Sequence, residues 1–342
     1  MRRTPNRRSA VIAIAAMMAI AVLAAGCGEK SEGGTSSGQQ SLTLALDWYV
    51  NPDHAGIYEA IDRGYFRAAG LAVNPQVPSD PSAPIKEVAA GRADLAISYE
   101  PEVMLARDQG LPVKAVAAIV AQPLTSLISP GKANIRIPAD LRGKTIATAG
   151  IPYQQVFLKA ILAKAGLSEG DVNVVDVQQG LLPAVISGRA DAMLGGFLNV
   201  EGVDLRLRGL SPRVVPVDRV GVPTYDELVL VASDSEISSE PRTIQLFVSA
   251  LERGTAAAAK DPREATAAIL DAGQGLDLRR TKAEVARTLP LLRQRATGHP
   301  YGYMAPAQWA RFAHFLADNG LIKALPATGD VLTNDLLPSQ VP

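Results

Sequence analysis

Apolar residues along positions 41–232 fall into short continuous runs separated by stretches of helical spacing. Residues 42–46 (LTLAL) predict a strand. Over 54–63 the apolar positions Ala55, Ile57, Tyr58 and Ile61 follow a helical period, until Gly64 breaks it, and 65–69 make a short turn closed by Gly70. Residues 73–77 predict a second strand, 84–90 a helix stopped by Gly91, and 94–98 (DLAIS) a third strand. The order then recurs: strand 144–148, helix 152–165, strand 172–177, helix 182–186 stopped by Gly188, strand 190–194. The tetrapeptide Gly91-Arg92-Ala93-Asp94 reappears as Gly188-Arg189-Ala190-Asp191 at the matching helix-to-strand step. Strands separated by helices imply parallel βαβ units, so the pattern describes an α/β protein of two similar lobes. After a strand at 228–232 the chain is helical, at 241–260, 262–271, 281–295 and 306–319. With few strands left for a third lobe, these helices are expected to pack back on the first. Lobe I is then 41–128 with 229–342, and lobe II is 129–228. Two crossings, near 127–129 and near 228–232, would join lobes that close on a cleft as a hinged trap.

The N-terminus has another character. Arg2, Arg3, Arg7 and Arg8 precede an apolar run over 10–25 and then Cys27, the only cysteine of the 342 residues. That run suits a secretory signal core and is short for a membrane span. Leu23-Ala24-Ala25-Gly26-Cys27 resembles a bacterial lipobox, departing from it at Ala24, where leucine is commoner. Residues 1–27 are accordingly expected to be a lipoprotein signal peptide with lipidation at Cys27; a free thiol is the other reading. Residues 28–40 (GEKSEGGTSSGQQ) are Gly/Ser/polar and predict a flexible tether. With no cysteine after position 27, disulfides and thiol catalysis are excluded. The formal charge is zero, and removing four arginines leaves a slightly acidic chain, a poor nucleic-acid binder.

Ligands of open parallel sheets gather at the carboxyl ends of the strands. The segments placed there are 47–53 (DWYVNPD), 99–102 (YEPE), 150–155 (GIPYQQ), 195–201 (GGFLNVE) and 223–227 (PTYDE). Although only 5% of residues are aromatic, these segments hold Trp48, Tyr49, Tyr99, Tyr153 and Tyr225. Such rings stack a flat solute, or else pack the hinge. The charged residues there are Asp47, Asp53, Glu100, Glu102, Glu201, Asp226 and Glu227, with no Lys or Arg, which points to a neutral or cationic solute carrying hydrogen-bond donors. His54, His299 and His314 have no metal-ligand spacing, and neither GxGxxG, GxxxxGK[ST], a serine-nucleophile motif nor a zincin motif occurs. No metal and no cofactor are expected.

The run from Asp47 to His54 (DWYVNPDH), followed by Gly64-Tyr65-Phe66 and Gly70-Leu71, resembles the opening of thiamine-pyrimidine-precursor binding proteins. These belong to a broader group with sulfonate and nitrate binders and the fungal pyrimidine synthase of thiamine biosynthesis. The resemblance implies a type II periplasmic-binding fold, with a pyrimidine held against aromatic rings. Trp48 and Tyr49 would be ring contacts and Glu201 the acid facing the aminopyrimidine edge, its other reading being a solvated acid at a helix start. Asn51 and His54 lie in the same motif, His54 lining the cleft or starting a helix. Tyr99, Glu102, Tyr153 and Tyr225 complete the candidate ligand set. Where the synthase carries its cofactor-binding lysine and reactive histidine, this chain has Ser98 and Glu102, and the synthase's cysteine-rich segment has no counterpart near Tyr225. The expectation is therefore an extracytoplasmic, lipid-anchored, monomeric solute-binding protein without enzymatic activity. Its partners would be a pyrimidine-like ligand, an ABC permease with its ATPase, and the membrane through the lipid. The alternatives are a binder of another flat or cationic solute (a riboflavin precursor, a quaternary amine or a sulfonate) and a pyridoxal-dependent pyrimidine synthase.

Overall fold

Asp94 and Asp191 do the same work in two different sheets. The Asp94 backbone N–H donates to Thr43 O at 3.0 Å, and its Oδ2 accepts from Thr43 N at 2.6 Å. Asp191 repeats both bonds on Thr145, at 2.8 Å and 2.9 Å. Gly91 and Gly188, with φ of 67° and 78°, end the preceding helices in the left-handed region that suits glycine. The tetrapeptide thus stops a helix and ties the next strand to the first strand of its own lobe.

The structure, a computed structural model, describes residues 38–292 and 298–338. The signal peptide, Cys27 and most of the tether lie outside them. The chain enters through β1 (Gln40–Ala45), the 3-10 turn Pro52–His54, α1 (Ala55–Asp62), α2 (Tyr65–Ala68), β2 (Leu71–Gln76), α3 (Ala83–Ala89), β3 (Leu95–Ser98), α4 (Glu100–Asp108) and β4 (Val113–Val120). It continues as β5 (Thr125–Ser129), β6 (Thr145–Thr148), α5 (Pro152–Lys164), β7 (Asn173–Asp176), α6 (Leu181–Ser187), β8 (Ala192–Phe197), α7 (Glu201–Leu207) and β9 (Arg213–Pro216). Last come β10 (Leu228–Ser233), α8 (Asp234–Ser239), α9 (Pro241–Lys260), α10 (Pro262–Ala272), α11 (Leu278–Leu292), α12 (Pro306–Asp318) and α13 (Thr328–Val331).

The strands form two five-stranded sheets, ordered β2-β1-β3-β10-β4 and β7-β6-β8-β5-β9. β1 runs parallel to β2 and β3, as β6 does to β7 and β8. The fourth strand breaks the expected parallel pattern: β10 is antiparallel to β3 and β4, and β5 to β8 and β9. Each of these strands arrives directly from the other sheet, and an antiparallel pairing needs no crossover helix. The connections between sheets are residues 121–124 and 217–227, so 127–129 and 228–232 lie inside the strands that receive them.

Other differences are local. Gln40 is already paired with Leu71, and 65–68 form a helical turn. Residues 100–102 open α4, and 195–197 extend β8. The strand β4, wholly apolar apart from Lys114, is an addition to the strands read from the sequence. The C-terminal helices do pack on the first sheet's lobe. α9 lies so close to α1 that a Cβ on Gly254 would stand 2.1 Å from Gly56 O, which no other residue type tolerates without displacement. α11 touches both the 3-10 turn Pro52–His54 and α7, and so reaches from one lobe to the other. Among the described residues no helix is long and apolar enough to cross a membrane.

Candidate functional site

The segment after β1 is held from below by a buried carboxylate. Asp47 Oδ1 lies 2.9 Å from His54 Nε2, and Asp47 Oδ2 accepts from the Tyr99 hydroxyl at 2.8 Å. His54 Nδ1 accepts from Asn51 N at 3.3 Å, so the imidazole proton sits on Nε2 and is donated to Asp47. Asn51 caps the following turn, its Oδ1 accepting from Asp53 N at 2.8 Å, while its Nδ2 donates to Tyr49 O at 3.0 Å. The turn presents Trp48 half-buried and Tyr49 52% exposed, their rings nearly perpendicular with centroids 6.3 Å apart.

Above this turn, between the lobes, lies a cavity of about 590 Å³. Its first-lobe wall includes Trp48, Tyr49, Asn51 and Tyr99, and its second-lobe wall Tyr153, Gln154, Phe197 and Glu201. The structure thus brings six of the sequence candidates to one cavity: Trp48, Tyr49, Asn51, Tyr99, Tyr153 and Glu201. His54, Glu102 and Tyr225 are not on its wall. His54 is fully buried behind Asp47. Glu102 is buried on α4 and accepts from Ser98 Oγ at 3.1 Å. Tyr225 is also fully buried, donating to Glu227 Oε2 at 2.9 Å and stacking on Phe312 with centroids 4.9 Å apart. Proximity to a strand end places a residue near the cleft, but the direction of its side chain comes from packing. Tyr99 and Tyr153 do both jobs: they line the cavity with centroids 5.8 Å apart, and Tyr153 continues into a chain of rings through Phe157 to Tyr225. Burial pushes both phenols well above their ordinary pKa, so they serve as neutral hydroxyls.

Glu201 opens α7, and its Oε2 accepts from Phe197 N at 2.7 Å. Burial raises its pKa, and the backbone donors pull the other way. The far wall was not anticipated from the sequence: Arg280 and Glu284 of α11 line it, beside Asp204 of α7. Arg280 Nη1 is 3.3 Å from Asp204 Oδ2, and its Nε is 3.8 Å from Glu284 Oε1. The expectation that no base lines the cleft is therefore corrected, because Arg280 arrives from a helix remote in sequence. Acids still predominate, with Asp47, Glu201, Asp204 and Glu284 against one arginine on the wall. One turn beyond Glu284, Thr288 Oγ1 accepts from Asn199 Nδ2 at 2.8 Å. Arg280, Glu284 and Thr288 follow i, i+4 spacing, a polar stripe on an otherwise amphipathic helix; this was the available signal. Among the described residues no group of three or more His, Cys, Asp or Glu side chains is arranged to hold a metal ion. The walls offer flat apolar faces, neutral hydroxyls and a carboxyl group, which suits holding a planar solute with donors on its edge.

Comparison with known proteins extends this picture. The alkanesulfonate-binding protein SsuA from Xanthomonas axonopodis pv. citri, solved bound to MOPS, superposes with a TM-score of 0.69 over 87% of this chain and 99% of its own, at 17% identity. The fold is that of the periplasmic binding proteins. A putative thiamine biosynthesis protein of Haemophilus influenzae is 35% identical over 235 residues, covering 69% of this chain and 74% of that protein. A formylaminopyrimidine-binding protein of Halalkalibacterium halodurans is 37% identical over 232 residues, covering 68% and 70%. Residues 51–265 match the family described as NMT1/THI5 like, and with these relatives the match shows that the chain belongs to that family.

Proposed function

We propose that the protein is the lipid-anchored solute-binding component of an ABC importer, capturing a thiamine pyrimidine precursor of the hydroxymethyl- or formylamino-pyrimidine type. The observation that carries this reading is the convergence, in one interlobe cavity, of Trp48, Tyr99 and Tyr153 with the carboxyl of Glu201. A pyrimidine stacks between rings, each contact contributing about 0.5–1.5 kcal/mol beyond burial. Its exocyclic amine donates to the Glu201 oxygen that Phe197 N leaves free. The relatives, one of them a formylaminopyrimidine-binding protein, support the same class of solute. Binding rather than synthesis fits Ser98 and Glu102: at the positions that resemble the synthase's lysine and histidine, these two side chains are buried and bonded to each other. The solute passes to a permease driven by its ATPase, and the protein works as an extracytoplasmic monomer held by lipid on Cys27.

Mass spectrometry of the solute released from purified protein tests the assignment. An aminopyrimidine is expected, whereas a flavin, a quaternary amine or a sulfonate would replace the reading. Addition of pyridoxal phosphate is expected to produce no Schiff-base absorbance; its appearance would favour the synthase.

A further inference from the structure

Glu284 carries a carboxyl group that is ion-paired at long range with Arg280 but receives no hydrogen bond from the described residues. The residue is only 4% exposed, yet it lines the cavity. Its polar neighbour among the described residues is Arg280 Nε at 3.8 Å, beyond hydrogen-bonding range, and Arg280 is engaged through Nη1 by Asp204. Other buried carboxyls each accept at least one hydrogen bond, although Asp53 and Glu100 keep one oxygen apiece without a partner. Glu102 is bonded to Ser98, Asp226 to Trp309, and Glu227 to the backbone of Leu124 and Thr125. A buried polar group without a hydrogen bond is costly, and one turned to a cavity is satisfied by what fills it.

We infer that Glu284 is a second polar contact to the bound solute, acting with Glu201 to select a ring edge that carries a hydrogen-bond donor beside an acceptor. The inference rests on the aminopyrimidine reading and narrows it. Burial, with the charges of Glu201 and Asp204, pushes the Glu284 carboxyl up to about 8 against the opposing pull of Arg280. Those three are the charged groups that act on it. The other elements packed on α11 (α1, α9, α10, β4 and the turn Pro52–His54) add none, Asp53 of that turn lying toward Thr288 through Asn199. In its protonated form Glu284 presents an O–H donor, and Glu201, its Oε2 held by Phe197 N, offers its other oxygen as an acceptor. A ring nitrogen next to an exocyclic amine is their complement; a quaternary amine offers neither.

The test is calorimetric titration of wild type, Glu284→Gln and Glu284→Met with 4-amino-5-hydroxymethyl-2-methylpyrimidine, on either side of the Glu284 pKa, with thermal melts as folding control. Glu284→Gln keeps a donor and an acceptor and should bind within about threefold of wild type below that pKa, while Glu284→Met should bind about tenfold or more weakly. Above it wild type should weaken as Glu284 loses its proton, and Glu284→Gln should not. With the benzene analogue, which lacks the ring nitrogens, wild type and Glu284→Met should bind alike. Wild type that binds the pyrimidine with Glu284→Met unimpaired overturns this inference alone. Wild type that does not bind it overturns the functional reading and this inference together.

Discussion

Asn199 Nδ2 donates to Asp53 Oδ1 at 2.8 Å, from the second lobe to the first. Asn199 follows β8, Asp53 lies in the turn after β1, and both are buried beside Thr288 of α11, whose hydroxyl meets the same amide. A hydrogen bond so deeply buried ties the lobes behind the cavity, because its partners have no water to turn to. Asn199→Ala strands Asp53 and Thr288 and should cost about 1–3 kcal/mol. A lowered urea midpoint and a melting temperature reduced by several degrees are the expected outcome; an unchanged melt would show that the contact ties nothing.

Stability should fall as the pH rises through neutrality. Burial raises the Glu102 carboxyl to about 7, with Ser98 opposing, and burial raises Asp226 to about 6. A carboxyl whose pKa is higher in the folded state binds its proton more tightly there than in the unfolded chain. Its contribution is therefore complete below the unfolded value of about 4.3 and is lost as pH climbs through the folded one. Melting temperatures measured across that window should decline, and Glu102→Gln should flatten the decline. A wild-type melt that improves toward alkaline pH would contradict the assignment of Glu102.

The two tryptophans should report differently on the solute. Trp48 is half-buried on the cavity wall, whereas Trp309 is fully buried on α12 and donates to Asp226 Oδ2 at 2.7 Å. Addition of an aminopyrimidine should change the emission of wild type and leave that of Trp48→Phe unchanged, since only Trp309 remains in the variant. A response that survives Trp48→Phe would remove the stacking contact.

Cys27→Ser should abolish lipid attachment, leaving unprocessed precursor or releasing soluble protein. Fractionation of cells that found wild type and variant equally soluble would refute the anchor.

Much of the architecture was legible because period and punctuation agree. Strand runs such as 42–46, and glycines that end helices, such as Gly91 and Gly188, are local signals, and the structure places them as read. The antiparallel β5 and β10 were not legible, since an apolar run carries no mark of its direction. At the cavity, strand-end logic found Trp48, Tyr99, Tyr153 and Glu201, but it also drew in Glu102 and Tyr225, and the family motif drew in His54; all three are buried off the cavity wall. Arg280 and Glu284 escaped it altogether. They lie on a helix far along the chain, and their place in the wall follows from how α11 packs across both lobes.

The most direct measurement is calorimetric titration of 4-amino-5-hydroxymethyl-2-methylpyrimidine into wild type and Glu201→Ala. Loss of a charge-assisted hydrogen bond, about 1.5–3 kcal/mol, corresponds to about ten- to a hundredfold in affinity. Because Glu201 Oε2 also holds Phe197 N, Glu201→Ala should lose about 1 kcal/mol of stability as well, and a thermal melt separates the two effects. Saturable binding by wild type, weakened by that factor in Glu201→Ala and intermediate in Glu201→Gln, is the predicted result. Absence of binding by wild type, or equal affinity in wild type and Glu201→Ala, would contradict the account.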